Sequence, residues 1–270
     1  MSEGADRSTV AGVLGAWDEA AEDFGRLAEH LWGPVGAGTV AVTRPTEGER
    51  VLDACCGTGA SAEPAARAVG ARGLVDAVDL SESMVAMAAR SAAGLPQLRT
   101  HAADVTSWQP DGYDVVQCVL GAFFFPDMDA GTEWLVRRAR PGGRVAVTIW
   151  ERGALVPAGE ALVGAVGAVR GQPMETPRAS TRVQELGDRV ALGSWLADRG
   201  LADVDVTTVP LVLPMDPHVL WLLVLGSGFR GMLTGLDDEQ VGAVRAGYLE
   251  RLADGAPVDA TTLVALGRRP

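Results

Sequence analysis

No lysine occurs anywhere in this chain; all 23 of its strongly basic residues are arginine, against 35 Asp and Glu, which leaves a formal charge of −12. An acidic balance of this size repels a phosphate backbone, whose neutralisation needs clustered Lys or Arg, so no nucleic-acid partner is expected. With abundant Ala, Gly, Val and Arg, the missing lysine reads as codon usage in a GC-rich genome. Cysteine is scarce too. Cys55, Cys56 and Cys118 cannot all pair, and sequence neighbours rarely bridge each other, which suits a reducing compartment. No apolar run approaches the roughly 18 residues of a membrane span, the best being VLWLLVLG at 219–226. The opening MSEGADRSTVAG has neither a basic n-region nor an apolar h-region, so a cytoplasmic protein with no membrane partner is expected. Aromatic residues make up only 5%, which gives weight to the places where they cluster.

What is present suffices for a large core: 47% hydrophobic residues over 270 positions. Residues 8–32 place Val10, Val13, Leu14, Trp17, Ala21, Phe24, Leu27, Ala28 and Leu31 at three- and four-residue steps, the pattern of an amphipathic helix or a broken pair. Strands are then predicted at 50–55, 74–79, 98–104, 113–120 and 143–150. Helices are predicted at 63–71, at 81–93 with Ser81 as N-cap, and at 129–140 stopped by Pro141. This alternation implies an α/β fold with a parallel sheet covered on both faces. Further on, 183–200 reads as one helix closed by Gly200, and 203–213 and 260–268 alternate as strands around a helical insert. The expected organisation is one domain. A helical cap spans 1–45, a ligand-binding core 46–150, and insertions at 151–183 and 214–257 form a lid.

The stretch VLDACCGTGASAEPA, 51–65, passes from a strand into a helix. Its GTGASA fits the loose dinucleotide pattern G-x-G-x-x-A, in which glycines admit a ligand to the backbone and the next helix offers free N–H groups. Asp53 argues against a pyrophosphate there, because a carboxylate repels phosphate and favours an ammonium or a sulfonium. Metal binding would need further ligands at short spacing, and a thiol nucleophile a neighbouring base, so the cysteines read as packing residues and no metal is expected. Asp79 ends the second strand, placed to accept both hydroxyls of a ribose. Asp104 ends the third, placed to accept from an exocyclic amine. An ammonium, a ribose diol and an adenine amine together describe S-adenosylmethionine (SAM).

On the segments VLDACCGTG, DAVDLSESMVAMA, HAADVTSW, YDVVQCVLGAFFF and RRARPGGRVAVTIW, in that order and spacing, the chain resembles the class I SAM-dependent methyltransferases. The resemblance implies a Rossmann-like seven-stranded sheet of order 3-2-1-4-5-7-6 with the last strand antiparallel, SAM as cofactor and S-adenosylhomocysteine (SAH) as product. It places Asp53, Ala54, Gly57 and Gly59 along the methionine moiety, Asp79 and Leu80 at the ribose, and Met84 near the adenosine. Ala103, Asp104 and Val105 bracket the adenine, and Gln117 and Cys118 lie beneath the sulfonium.

The family reads its acceptor with its variable parts, and here Trp17, Trp32, Phe123, Phe124, Trp150, Trp221 and Phe229 fall in them, which suggests an apolar small-molecule pocket. GAFFFPD follows the fourth strand, where the nucleic-acid branch places a polar residue and two prolines. The cap and insert look like the branch that methylates quinones and natural products, and the composition is of an actinobacterial style, so tailoring in secondary metabolism is the expected role. A base is needed only if the acceptor must lose a proton; His30 and His218 lie in covering segments and are the candidates, whereas His101, inside a strand, reads as structural. Homodimer formation through the N-terminal helices is a further expectation. The competing readings are a SAM-binding protein of this fold that transfers no methyl, as a cyclase or regulatory binder, and a nicotinamide-dependent oxidoreductase.

Overall fold

The computed structural model describes residues 21–173, 178–253, 255 and 257–270, with the backbone alone for 178–181. Trp17 lies outside the described residues. Strands β1 (Arg50–Ala54), β2 (Leu74–Asp79), β3 (Leu98–Ala102), β4 (Tyr113–Val119), β5 (Ala139–Trp150), β6 (Ala202–Val209) and β7 (Thr262–Arg268) form one sheet ordered β3-β2-β1-β4-β5-β7-β6. The first five pair in parallel, while β7 runs antiparallel to both β5 and β6. Class, order and direction are those expected. The inner strands bury nearly every residue because helices cover both faces, so their apolar runs are continuous rather than alternating.

Residues 21–27 are helical and pass through a π-helical turn, Ala28–Trp32, into α1 (Gly33–Thr43). The core crossovers carry α2 (Ala62–Val69), α3 (Glu82–Ser91) and α4 (Met128–Arg138). Ser81 caps α3 as expected, its Oγ accepting from Met84 N at 3.2 Å. After β5 come α5 (Val156–Arg170), α6 (Arg178–Leu186) and α7 (Arg189–Ala197); α8 (Pro217–Leu225) and α9 (Asp238–Ala253) lie between β6 and β7. No helix among the described residues is long and apolar enough to cross a membrane.

Four boundaries differ from the sequence expectation. The periodic pattern ends at residue 32 inside the helical cap expected to 45, and α1 continues the cap through GPVGAGTVAVT, whose glycines lower helix propensity. Pro34 sits in its first turn, where a missing N–H costs nothing. A Cβ on Gly36 would stand 2.9 Å from Ser61 N, so bare backbone is what lets the helix approach the glycine loop. Second, the expected helix 183–200 is two helices, broken at Gly187 where a Cβ would meet Arg152 N at 2.8 Å, and restarted by the Asp188 cap on Ala191. Third, α4 ends at Arg138 and Ala139 already belongs to β5, so Pro141 lies within the strand rather than stopping the helix. Fourth, β6 stops at Val209 because Pro210 has no N–H to give the ladder; pairing resumes at the single bridge Val212–Asp259.

Three apolar clusters hold the molecule. One lies between the β1–β2–β3 side of the sheet and α2, with Val51, Ala65, Val69 and Val75 fully buried. A second fills the opposite face beneath α4 and α7, around Leu52, Leu135, Ile149 and Leu196. The third is built from the two insertions and the N-terminal helix: Leu162 and Val166 of α5, Leu223 of α8, Val244 and Tyr248 of α9, and Leu27 and Leu31.

Candidate active site

The chain runs from β1 outward to β2 and β3 and returns to β4 on the other side of β1, so the carboxyl ends of β1 and β4 flank the crevice in which open α/β sheets bind ligands. Gly57 and Gly59 turn the chain there with φ of +53° and +94°, a region L side chains rarely enter. Gly57 N donates to Asp79 Oδ2 at 2.9 Å, and Ser81 N donates to Asp79 Oδ1 at 3.0 Å, which fixes the carboxylate between the glycine loop and α3. Ala103 N donates to Asp79 O. Asp104, exposed, accepts from Thr106 N and Oγ1 at 2.8 and 2.6 Å, holding the loop that carries Val105. Leu80 is 45% exposed at the rim and Met84 buried below it.

Asp53 is fully buried. Ser61 Oγ donates to both its oxygens, at 3.0 and 2.8 Å, and Gln117 Nε2 donates to Oδ1 at 3.1 Å. Thr43 of α1 in turn donates to Gln117 Oε1 at 3.3 Å. Burial pushes the carboxyl up from 3.8 to about 7, against the lowering by Ser61 and Gln117 and with a further rise from the charge of Asp79. Such a group relaxes when a cation comes beside it. Two buried or fixed carboxylates and a glycine turn therefore fit the ammonium and ribose ends of SAM. Ser61 and Thr43 were missed in sequence; Thr39 and Thr43, four apart behind Pro34, were the available sign of a helix face carrying hydroxyls.

Ala54 and Cys118 are register partners on β1 and β4 and are both fully buried. The Cys55 thiol is pushed well above its ordinary range, first by its hydrogen bond to Cys118 and then by burial, and Cys56 is pushed up by burial. These are unreactive thiols, as the packing reading requires. A Cβ on Gly121 would come 2.7 Å from Cys55 Sγ and 3.2 Å from Cys118 Sγ, so the sulfurs fill the space under the loop after β4.

Five of the aromatic candidates, Trp32, Phe123, Trp150, Trp221 and Phe229, belong to the third apolar cluster. Trp32 stacks on Phe24 at 4.5 Å between centroids and lies 6.4 Å from Trp150. Phe124 is 47% exposed and sits 4.7 Å from Phe123. The histidines are not gathered in the same way. His218 is exposed at the start of α8, and among the described residues neither its imidazole nor that of His30 has a hydrogen-bond or ion-pair partner. His101 Nε2 donates to Asp76 Oδ1 at 2.9 Å inside β3, in keeping with a structural role.

Residues 51–143 match the family model of a methyltransferase domain. The chain is 31% identical over 147 residues to aklanonic acid methyltransferase DauC of Streptomyces sp. (strain C5), which covers 53% of this chain and 67% of that protein. It is 29% identical over 222 residues to the demethylmenaquinone methyltransferase of Clavibacter sepedonicus, covering 74% and 87%. Several other curated relatives are matched over about half of their length. Among solved structures, YjhP from E. coli has a TM-score of 0.55 at 22% identity, covering 87% of this chain and 91% of that one, a likeness of fold.

Proposed function

The chain belongs to the class I SAM-dependent methyltransferases, and from that premise we propose that it moves a methyl group onto O, N or C of a small, largely apolar or aromatic metabolite, in the tailoring of a natural product. The observation that carries this reading is the gathering of Trp32, Phe123, Trp150, Trp221 and Phe229 under one helical cover beside the crevice. The acidic surface and the printed activities of the two curated relatives support the same acceptor class.

SAM supplies a methyl on a positively charged sulfur, so the chain's tasks are to bind, align and keep water away. In the proposed arrangement Asp53 takes the ammonium, with Ala54, Gly57 and Gly59 along the methionine moiety. Asp79 and Leu80 hold the ribose, Met84, Ala103, Asp104 and Val105 the adenosine, and Gln117 and Cys118 the floor beneath the sulfur. The insertions at 151–183 and 214–257 and the cap at 1–45 serve as the acceptor's lid, with Trp17 and Phe124 completing its aromatic lining. His30, next to Trp32 in chain, and His218 are the candidate bases.

Calorimetry with SAM, SAH and NAD tests the premise: SAM and SAH bind and NAD does not. Asp79→Ala should weaken SAM by about 2–3 kcal/mol, the worth of a charge-assisted bidentate contact. Unchanged affinity sinks the ribose assignment. Transfer of labelled methyl to a panel of hydroxyquinones and phenols then tests the acceptor class. Rates unchanged in both His30→Gln and His218→Gln would remove these imidazoles from the reaction.

A further inference from the structure

Besides the Tyr248 hydroxyl deeper among the helices, two buried polar atoms beside the aromatic cluster have no partner among the described residues. One is the indole Nε1 of Trp32, at the end of the π-helical turn Ala28–Trp32. The other is Oγ1 of Thr262, a residue 1% exposed at the start of β7. Thr262 stands directly opposite Trp150 in the antiparallel register, so the two side chains share a face, and the Trp150 ring is 6.4 Å from that of Trp32. β5 ends at Trp150, which puts this corner at the same carboxyl edge of the sheet as the glycine loop.

A buried donor left unmade carries the full cost of its desolvation, and nearly all such groups in folded proteins are satisfied. The indole N–H can only donate, and the hydroxyl can donate or accept. The indole therefore calls for an acceptor and the hydroxyl for either an acceptor or a donor, which no described residue supplies; an acceptor oxygen on a bound molecule would serve both. The walls around them constrain the rest of that molecule: Trp32 lies flat on Phe24 with an interplanar angle of 10°, and Trp150 is tilted by 50° against it. Such faces take a planar ring.

We propose that Trp32 Nε1–H and the Thr262 hydroxyl form a hydrogen-bonding anchor for the acceptor, which is a planar ring system carrying a carbonyl oxygen. The proposal rests on the small-molecule methyltransferase reading and narrows its substrate class. Trp32 and Thr262 are positioning residues: they fix the plane of the ring and the direction of its carbonyl, and no bond changes at either.

The test uses 9-fluorenone and fluorene, two flat molecules of one outline that differ by a carbonyl, with full-length protein saturated with SAH. Indole 15N–1H spectra, assigned with Trp32→Phe, should show the Trp32 N–H moving downfield with fluorenone and not with fluorene. Fluorenone should bind about five- to tenfold more tightly, the worth of a net hydrogen bond. Trp32→Phe should abolish that preference and Thr262→Val should reduce it, with SAH affinity unchanged in both, which also reports that the variants fold. Equal binding of the two probes, a preference that survives Trp32→Phe, or no binding of either probe at millimolar concentration overturns the anchor. Failure of the wild type to bind SAH instead overturns the methyltransferase reading beneath it.

Discussion

Two single groups illustrate how burial sets behaviour at the residue scale. The folded-state value of Asp53 lies above the ordinary 3.8, so the folded chain favours its protonated form; that contribution to stability is complete below about 3.8 and is lost as pH rises through about 7. Thermal melts of ligand-free protein between pH 5 and pH 8 should show the wild type losing more Tm than Asp53→Asn over this interval. Identical profiles would mean that Asp53 does not titrate there. SAH, which carries an ammonium, should reverse the trend: its affinity rises with pH in the wild type and stays flat and weak in the variant. Tyr248 is the contrasting case. It is fully buried in α9, 6.1 Å from Trp221, its hydroxyl has no partner among the described residues, and burial pushes its ionisation upward. Tyr248→Phe removes an unsatisfied group without opening a cavity and should stabilise by about 1 kcal/mol in urea unfolding. A loss of stability would show that the hydroxyl is satisfied in solution.

At the scale of elements, α6 and α7 are tied to the first turn of α4 through one carboxylate. Asp129 Oδ1 accepts from Trp195 Nε1 at 2.7 Å, Arg199 Nη2 at 2.6 Å and Arg182 Nη2 at 3.3 Å. The Trp195 hydrogen bond, then Arg199 and Arg182, hold its pKa below the ordinary value. Because Asp129 is half-exposed, Asp129→Ala should cost only about 1–2 kcal/mol, with faster amide exchange confined to α6 and α7. Uniform exchange throughout the chain would disprove a local tie. These elements also show what sequence could and could not reveal. β2 was read to its exact limits, and Ser81 as a cap, because their signals are local: a continuous apolar run and a hydroxyl before an acidic first turn. Asp79 was legible as the carboxylate that ends β2, whereas Asp104, expected to end β3, lies two residues past its end at Ala102 and caps the turn Val105–Ser107. α1 was legible only as part of a helical cap, without bounds, since its glycines make sense only against Ser61 and Val209, far away in chain. The unpaired atoms of Trp32 and Thr262 were invisible, because a missing partner is a property of the packed structure.

On the scale of the whole molecule, the helical layer outside the sheet is stitched between segments some two hundred residues apart in sequence. Arg230 Nη1, between α8 and α9, meets Asp23 Oδ2 at 3.0 Å, and a Cβ on Gly226 would press on Asp23 and Phe24 backbone at 2.6 to 3.0 Å. Arg230→Ala should loosen residues 21–32, seen as faster proteolysis or amide exchange there, and should raise KM for the acceptor severalfold while leaving SAH affinity alone. Protection unchanged at 21–32 would show that Gly226 packing alone holds the cover.

The apolar cluster of the inserted helices meets the sheet at its carboxyl edge, through Val119, Leu120 and Trp150, and shares Phe123 with the second cluster, while the insertions leave and rejoin the chain at neighbouring ends of β5, β6 and β7. A replacement among its α5, α8 or α9 side chains is therefore kept apart from the Val51–Val75 cluster that backs the strand before the glycine turn. The helical half can thus change its lining side chains while Asp53 and the turn that follows it keep their packing.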